Sequence, residues 1–240
     1  MNLLELRSVH AAYDRIDVLF GIDLEVPAGT VVALLGPNGA GKTTTLRVAA
    51  GLHPPTSGDV LIAGRRINGT APEDLARRGM CLIPEGRGIF PNLTVRENLR
   101  MMTYSGASLS AIEGEAYARF PRLAERRKQI AGTLSGGEQQ MLAMARGLAT
   151  HPALLLLDEL SMGLAPIIVE ELYELVAQIA RAGVSILVVE QFASTVLGVA
   201  DLAAVLVHGR VARVGTPHEL QDELSKAYLG GEPRGTRNQE

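Results

Sequence analysis

Cysteine is almost absent from this chain: Cys81 is the only one among 240 residues. A single thiol excludes an intramolecular disulfide framework and fits a reducing compartment. It lies in the apolar run Met80-Cys81-Leu82-Ile83, so a small buried hydrophobe is expected there rather than a reactive thiol. Long apolar runs are absent too. The longest, such as Ala153 to Leu157 and Val184 to Val189, are strand-sized, whereas a membrane helix needs about 20 apolar residues. Any service to a membrane is therefore that of a peripheral partner. Met1 to His10 lacks a basic segment leading into an apolar one, so no signal peptide is expected. Nor is there an excess of positive charge: a net charge of −3 gives bulk electrostatics no reason to favour nucleic acid. The five histidines, His10, His53, His151, His208 and His218, show no metal-ligand spacing and read as surface or loop residues. No internal repeat or low-complexity tract is visible.

What is present is a globular composition, 47% hydrophobic and 20% charged, long enough for a sizeable core. Leu3 to Val9 and Val18 to Val26 alternate in polarity, as antiparallel strands around a loop would. Val31 to Leu35 reads as a fully buried strand that runs into a glycine-rich loop and a helix, Thr43 to Ala50. Asp59 to Ala63 reads as a further strand, and Met80 to Ile83 as another buried one. From about Thr94 to Thr150 the pattern turns helical, with no strand-like run. Strands return at Leu154 to Leu157, Ser185 to Val189, Ala203 to Val207 and Val211 to Val214, with helices at Pro166 to Ala182 and Ser194 to Ala200. Strands alternating with helices predict an α/β fold with a mostly parallel sheet, N-terminal antiparallel strands and an inserted helical subdomain at about 88–150. The whole chain, 1–240, reads as one domain. Its polar, Gly/Pro-containing tail from Gly230, above all 232–240, is expected to be disordered.

Gly36-Pro37-Asn38-Gly39-Ala40-Gly41-Lys42-Thr43, followed by Thr44, matches the phosphate-binding loop position for position. Glycines let the backbone curl so that successive N–H groups point at phosphate oxygens, at the positive end of the following helix. Lys42 is expected to reach the β- and γ-phosphates, and the Thr43 hydroxyl to ligate Mg²⁺. Chance produces this pattern in roughly one random chain of this length in a hundred. The strand before it and the helix after it are the context that the motif requires. Leu154 to Leu157 followed by Asp158-Glu159 is the second element: Asp158 can hold Mg²⁺ directly or through water, and Glu159 can polarise the attacking water. Taken alone, it is equally a core strand that ends in acids.

Leu134-Ser135-Gly136-Gly137-Glu138-Gln139-Gln140 resembles the signature motif of ABC-type ATPases. Ser135 and the glycine backbones at Gly136 and Gly137 start a helix and offer a second anion site; a plain helix cap is a compatible reading. The resemblance spans about residues 3 to 231. It implies that the signature of one subunit closes on the ATP held by another, that Tyr13 stacks on adenine, and that Ser161 to Pro166 links the two sites. Ile83 to Pro91, Leu93 to Leu99, Val189-Glu190-Gln191 and Ala227 to Gly231 look like the shorter of the two ATPase subunits of branched-chain amino acid importers. Importers of urea or short amides carry a very similar subunit. Glu85 stands where the family has Gln, near metal and nucleotide, and Gln191 stands where it has the switch His. These departures leave room for a subunit that binds nucleotide but hydrolyses it weakly. Leu160 replaces a common proline. The implied cofactors are ATP and Mg²⁺. The implied partners are two transmembrane permease subunits, a second ATPase subunit (or a second copy in isolation) and, indirectly, an extracytoplasmic solute-binding protein. The implied location is the cytoplasmic face of the plasma membrane. A ribosome- or DNA-acting relative is a poorer match, because the chain has one cassette and no heptad tract. The basic run Arg122, Arg126, Arg127 and Lys128 reads as a solvated helix face rather than a docking patch.

Overall fold

In the computed structural model, which describes residues 1–86, 88–192 and 196–220, the strands form two sheets. An antiparallel sheet, ordered β2-β1-β4-β5, contains β1 (Asn2–Tyr13), β2 (Ile16–Pro27), β4 (Ser57–Ile62) and β5 (Arg65–Arg66). The larger sheet, ordered β10-β9-β3-β8-β7-β6, contains β3 (Val31–Leu35), β6 (Met80–Ile83), β7 (Leu154–Asp158), β8 (Ser185–Glu190), β9 (Leu202–Val207) and β10 (Arg210–Gly215). Strands β9 to β6 in that order run parallel, and β10 is antiparallel at the edge. The expected α/β class is the one found.

The central strands are apolar throughout because both faces of the sheet are covered. Val31, Ala33 and Leu35 of β3 enter one core with Leu155, Leu157, Ile186 and Val188. Val32 and Leu34 enter a second core with Leu156, Leu187 and Val189. Each buried Val, Leu or Ile contributes about 1.5–3 kcal/mol relative to exposure, and this is what fixes the strand ends in register. The second core is closed by the antiparallel sheet and α1 (Lys42–Ala49).

The first core is closed by α6 (Gly136–Leu148) and α7 (Pro166–Arg181). Pro166 opens α7, and its buried face is Val169, Leu172, Tyr173, Val176, Ile179 and Ala180, the spacing of a one-sided helix. Between β6 and β7 the described residues form α3 (Val95–Arg100), α4 (Leu109–Arg119), α5 (Pro121–Glu125) and α6, with one isolated bridge between Thr94 and Ile130. Helix α6 is buried on most sides because it lies between those helices and β6. A Cβ at Gly147 would stand 3.1 Å from Ile83 Cδ1 and 3.2 Å from Cys81 Sγ, so glycine lets the helix approach the strand.

Several expectations change. Strand β6 is not fully buried: it is the sheet's edge, with Cys81 and Leu82 half-buried. Burial nevertheless pushes the Cys81 thiol up to about 11, which disfavours the thiolate. A short helix α2 (Pro72–Arg77) and strand β5 have no counterpart in the sequence reading. His10 is neither loop nor surface; it sits half-buried in β1, its ring against Gly21. The start of the expected helix Ser194 to Ala200 falls on residues 193–195, outside the described residues, as does the expected tail. Val196 is fully buried in the first core.

Asn98, fully buried in α3, holds the preceding loop to the helix. Its Oδ1 accepts from Phe90 N–H at 2.8 Å, and its Nδ2 donates to Phe90 O at 2.9 Å and Thr94 O at 3.0 Å. Asn98→Ala leaves Phe90 N–H without its partner, while Phe90 O keeps Leu93 N–H at 3.2 Å, and should cost about 1–3 kcal/mol, read from urea unfolding. A loss under about 1 kcal/mol would show that water replaces the side chain.

Candidate functional site

Strand pairing brings the carboxyl ends of three strands together. Leu35 of β3 lies opposite Glu190 of β8, and Asp158 of β7 lies opposite Val189. The chain leaves β3 through Gly36 to Gly41 and enters α1 at Lys42. Gly41 has φ 103°, and a Cβ there would stand 2.8 Å from Leu19 Cδ2, so only glycine turns this corner. Gly39, at φ 78°, faces open space, as do the exposed Pro37 and Asn38. Ala40 N–H closes the curl on Pro37 O at 3.2 Å. Helix α1 has no side-chain cap and no acidic residue in its first turn. Its N-terminal end is therefore left with positive potential and free N–H directions, which suits an anion.

The charged groups gather around this end. Lys42 is 5% exposed; its Nζ donates to Pro37 O at 3.2 Å and lies 3.5 Å from Glu159 Oε1. Thr43 Oγ1 donates to Asp158 Oδ1 at 3.2 Å, and Thr44 is buried behind it. Asp158 is itself buried, which is the main reason that its pKa rises to about 6. The Thr43 hydrogen bond opposes the rise, Glu159 and Glu85 reinforce it, and Lys42 opposes it. Glu85, exposed on the turn after β6, is thus within electrostatic reach of Asp158. Glu159 is held at φ 48°, a left-handed conformation rare for residues with a Cβ. Gln191 is half-buried and lines a cavity of about 460 Å³ together with Glu159, Ser161 and Glu190.

Tyr13 ends β1 at the rim of the molecule and is 37% exposed. One of its faces is covered by His53, ring centroids 4.3 Å apart, and its hydroxyl accepts from Arg47 at 3.5 Å. His53 is a residue that sequence reading missed: its Nε2 is fixed 2.9 Å from Ala12 O, across 41 residues of chain. Ser135, Gly136 and Gly137 make no hydrogen bond to the phosphate-type loop among the described residues. Instead Ser135 caps α6: its N–H and Oγ both donate to Glu138 Oε2 at 2.9 Å. Arg126 Nε in turn holds Glu138 Oε1 at 2.7 Å. The basic run is therefore only partly a solvated face, since Arg126 buttresses the start of α6. Nothing in sequence spacing pairs Arg126 with Glu138, because the turn between α5 and α6 creates the contact.

The Asp158 shift has a sign that can be tested without ligand. The folded carboxyl keeps its proton up to about pH 6, whereas its ordinary value is 3.8. Folding takes up a proton between those values, so this group's contribution is most favourable below that window and is lost as pH rises through about 6. Asp158→Asn should therefore stabilise the nucleotide-free protein at pH 7.5, and the gain should shrink by pH 5, in paired urea titrations. A gain that is constant with pH would contradict the assignment.

The chain's likenesses agree with this geometry. The ABC transporter family model matches residues 19–161. The chain is 41% identical to the high-affinity branched-chain amino acid transport ATP-binding protein BraG of Pseudomonas aeruginosa, over 95% of this chain and 100% of that protein. It is 36% identical to the probable branched-chain amino acid transport ATP-binding protein LivF of Archaeoglobus fulgidus, over 95% and 99%. The fold superposes on the ADP conformation of MJ1267, an ATP-binding cassette of an ABC transporter, with a TM-score of 0.83, 22% identity and coverage of 96% and 99%. A buried lysine at an uncapped helix start, two acids at the end of the next strand but one, and these matches lead to one conclusion: the chain belongs to the ATP-binding subunits of ABC transporters.

Proposed function

We propose that this subunit hydrolyses ATP to drive uptake of branched-chain or related amino acids, with Glu159 as the general base. The observation that carries the reading is the meeting of Lys42, Thr43, Asp158 and Glu159 at one buried sheet end. The transported class rests on the names of the two relatives given above. Among the described residues no helix is long and apolar enough to cross a membrane. The proposed assembly accordingly pairs the chain, on the cytoplasmic face, with two permease subunits, a second ATPase subunit and an extracytoplasmic solute-binding protein. We take 1–240 as a single cassette, with about 88–150 as its helical subdomain.

The residues fit MgATP. The uncapped first turn of α1 and the buried Lys42 offer N–H groups and a cation to the phosphates. Thr43 Oγ1 and Asp158 Oδ1, already 3.2 Å apart, are the hard oxygen donors that Mg²⁺ prefers. Bound Mg²⁺ would neutralise charge on the β- and γ-phosphates. In the proposed reaction Lys42 turns from Glu159 to the phosphates, which frees the carboxylate to accept a proton from water. Gln191 is placed beside that water as a neutral amide partner, and Glu85 lies at the outer, permease-facing side. Tyr13 presents the ring face away from His53 to the adenine. Ser135, Gly136 and Gly137 serve the nucleotide of the opposite subunit.

Lys42→Ala removes the only cation in this set and leaves Glu159 and Asp158 facing a polyanion. ATP binding should weaken, and turnover should fall below about 1% of wild type, or roughly 2.7 kcal/mol of barrier. A mutant that hydrolyses at half the wild-type rate would overturn the phosphate assignment. Glu159→Gln keeps the shape but removes the base and a negative charge near the γ-phosphate. It should accumulate an ATP-bound dimer on size-exclusion chromatography in MgATP, with the second ATPase subunit where self-pairing is weak. Adding Ser135→Arg should abolish that dimer. A Glu159→Gln protein that stays monomeric in every mixture and hydrolyses at the wild-type rate would contradict the mechanism. Uptake of radiolabelled leucine by the reconstituted complex, set against uptake of urea, tests the transported class.

A further inference from the structure

Glu190 is a carboxylate that the reading above does not use. It is 1% exposed, at the end of the central strand β8 and one residue before Gln191. Three donors converge on it. Ser161 N–H reaches Oε1 at 2.9 Å, Ser161 Oγ reaches Oε2 at 2.8 Å, and the Tyr173 hydroxyl reaches Oε1 at 2.5 Å. They come from two elements remote in sequence: the loop after β7 and the buried face of α7. The backbone adds a fourth tie, Glu159 N–H to Val189 O at 3.0 Å. On its other side Glu190 pairs with Leu35, the residue before the phosphate loop.

These contacts bracket Glu159. The chain turns there at φ 48°, a left-handed conformation uncommon for a residue with a Cβ. One residue earlier Asp158 is still in the sheet; two residues later Ser161 is fastened to Glu190 through both its N–H and its hydroxyl. Glu159, Ser161, Glu190 and Gln191 also line the same cavity of about 460 Å³. A buried carboxylate satisfied by three hydrogen bonds is stiff, since losing any one of them strands a polar group away from water.

We propose that Glu190 is a positioning residue for hydrolysis: it fastens the loop after β7 to the end of β8, so that Glu159 and Gln191 move as one unit. The proposal rests on the assignment of Glu159 as base. It predicts a kinetic effect confined to chemistry. The phosphate loop keeps its own closure, Ala40 N–H on Pro37 O, and Lys42 keeps its bond to Pro37 O at 3.2 Å, whereas the base and its amide neighbour lose their common anchor.

The test measures kcat and KM for MgATP on the intact protein, with Glu159→Gln alongside. Glu190→Ala should lower kcat at least about tenfold while KM changes by less than about threefold. Glu190→Gln should restore kcat to within about threefold. Its amide oxygen can accept from Ser161 N–H and Tyr173, and its NH₂ can donate to Ser161 Oγ. Tyr173→Phe, which keeps the ring and removes one donor, should show an intermediate loss with the same unchanged KM, and it serves should Glu190→Ala fail to fold. The proposal is overturned if kcat of Glu190→Ala, or in its place of Tyr173→Phe, equals wild type per folded molecule. It is also overturned if KM rises in step with the loss, or if Glu190→Gln is as damaged as Glu190→Ala. A wild-type rate for Glu159→Gln would instead remove the base assignment, whatever Glu190 does.

Discussion

The buried ammonium of Lys42 is the constraint on which the site depends. A cation taken out of water costs several kcal/mol unless partners surround it, and here they are Glu159 at 3.5 Å and Pro37 O at 3.2 Å. That arrangement needs a carboxylate at the end of a neighbouring strand and a backbone loop folded back on itself. It also needs a helix that begins without a side-chain cap. The same pair couples binding to chemistry in the proposed reaction: phosphates compete with Glu159 for the ammonium, and the carboxylate released is the base. Asp158, crowded by burial and by two neighbouring acids, has an acidity that answers to any cation placed beside it.

Sheet order makes this possible. Strands β3, β8 and β7 are adjacent and parallel, so their polar ends emerge side by side while their apolar lengths fill two cores. Brought together at that one end are the start of the phosphate loop, the Asp158–Glu159 pair and Glu190-Gln191. The antiparallel sheet brings Tyr13 to the rim, where His53 and Arg47 fix its ring and hydroxyl. Ser135 is engaged in capping α6, with Glu138 and Arg126 behind it. That it makes no hydrogen bond to the phosphate loop among the described residues supports the proposed sharing of the site with a second subunit.

Much of this is legible in the sequence. Continuous apolar strands, the glycine spacing of the loop and the acid pair are local patterns, and each has one inexpensive physical realisation: a strand covered on both faces, a positive-φ curl, a polar strand end. Where the structure departs from the sequence pattern, the cause is neighbourhood. Met80 to Ile83 is apolar enough for a central strand, yet it lies at the sheet's edge because nothing pairs with its outer side among the described residues. His53 and Arg126 looked like loop and surface residues, since their partners, Tyr13 and Glu138, are reached only through the folded chain.

By itself, then, the sequence determined which segments could be strands, where an anion could be held by backbone N–H groups, and which acids and lysine could attend it. Those properties follow from side-chain polarity and glycine conformations within a few residues. Only the tertiary structure decided which strand ends became neighbours, and with that the Lys42–Glu159 pair across 117 residues and the fastening of Ser161 and Tyr173 to Glu190. Burial energy sets sheet order through the sum of many apolar contacts. No local pattern in the chain records that sum.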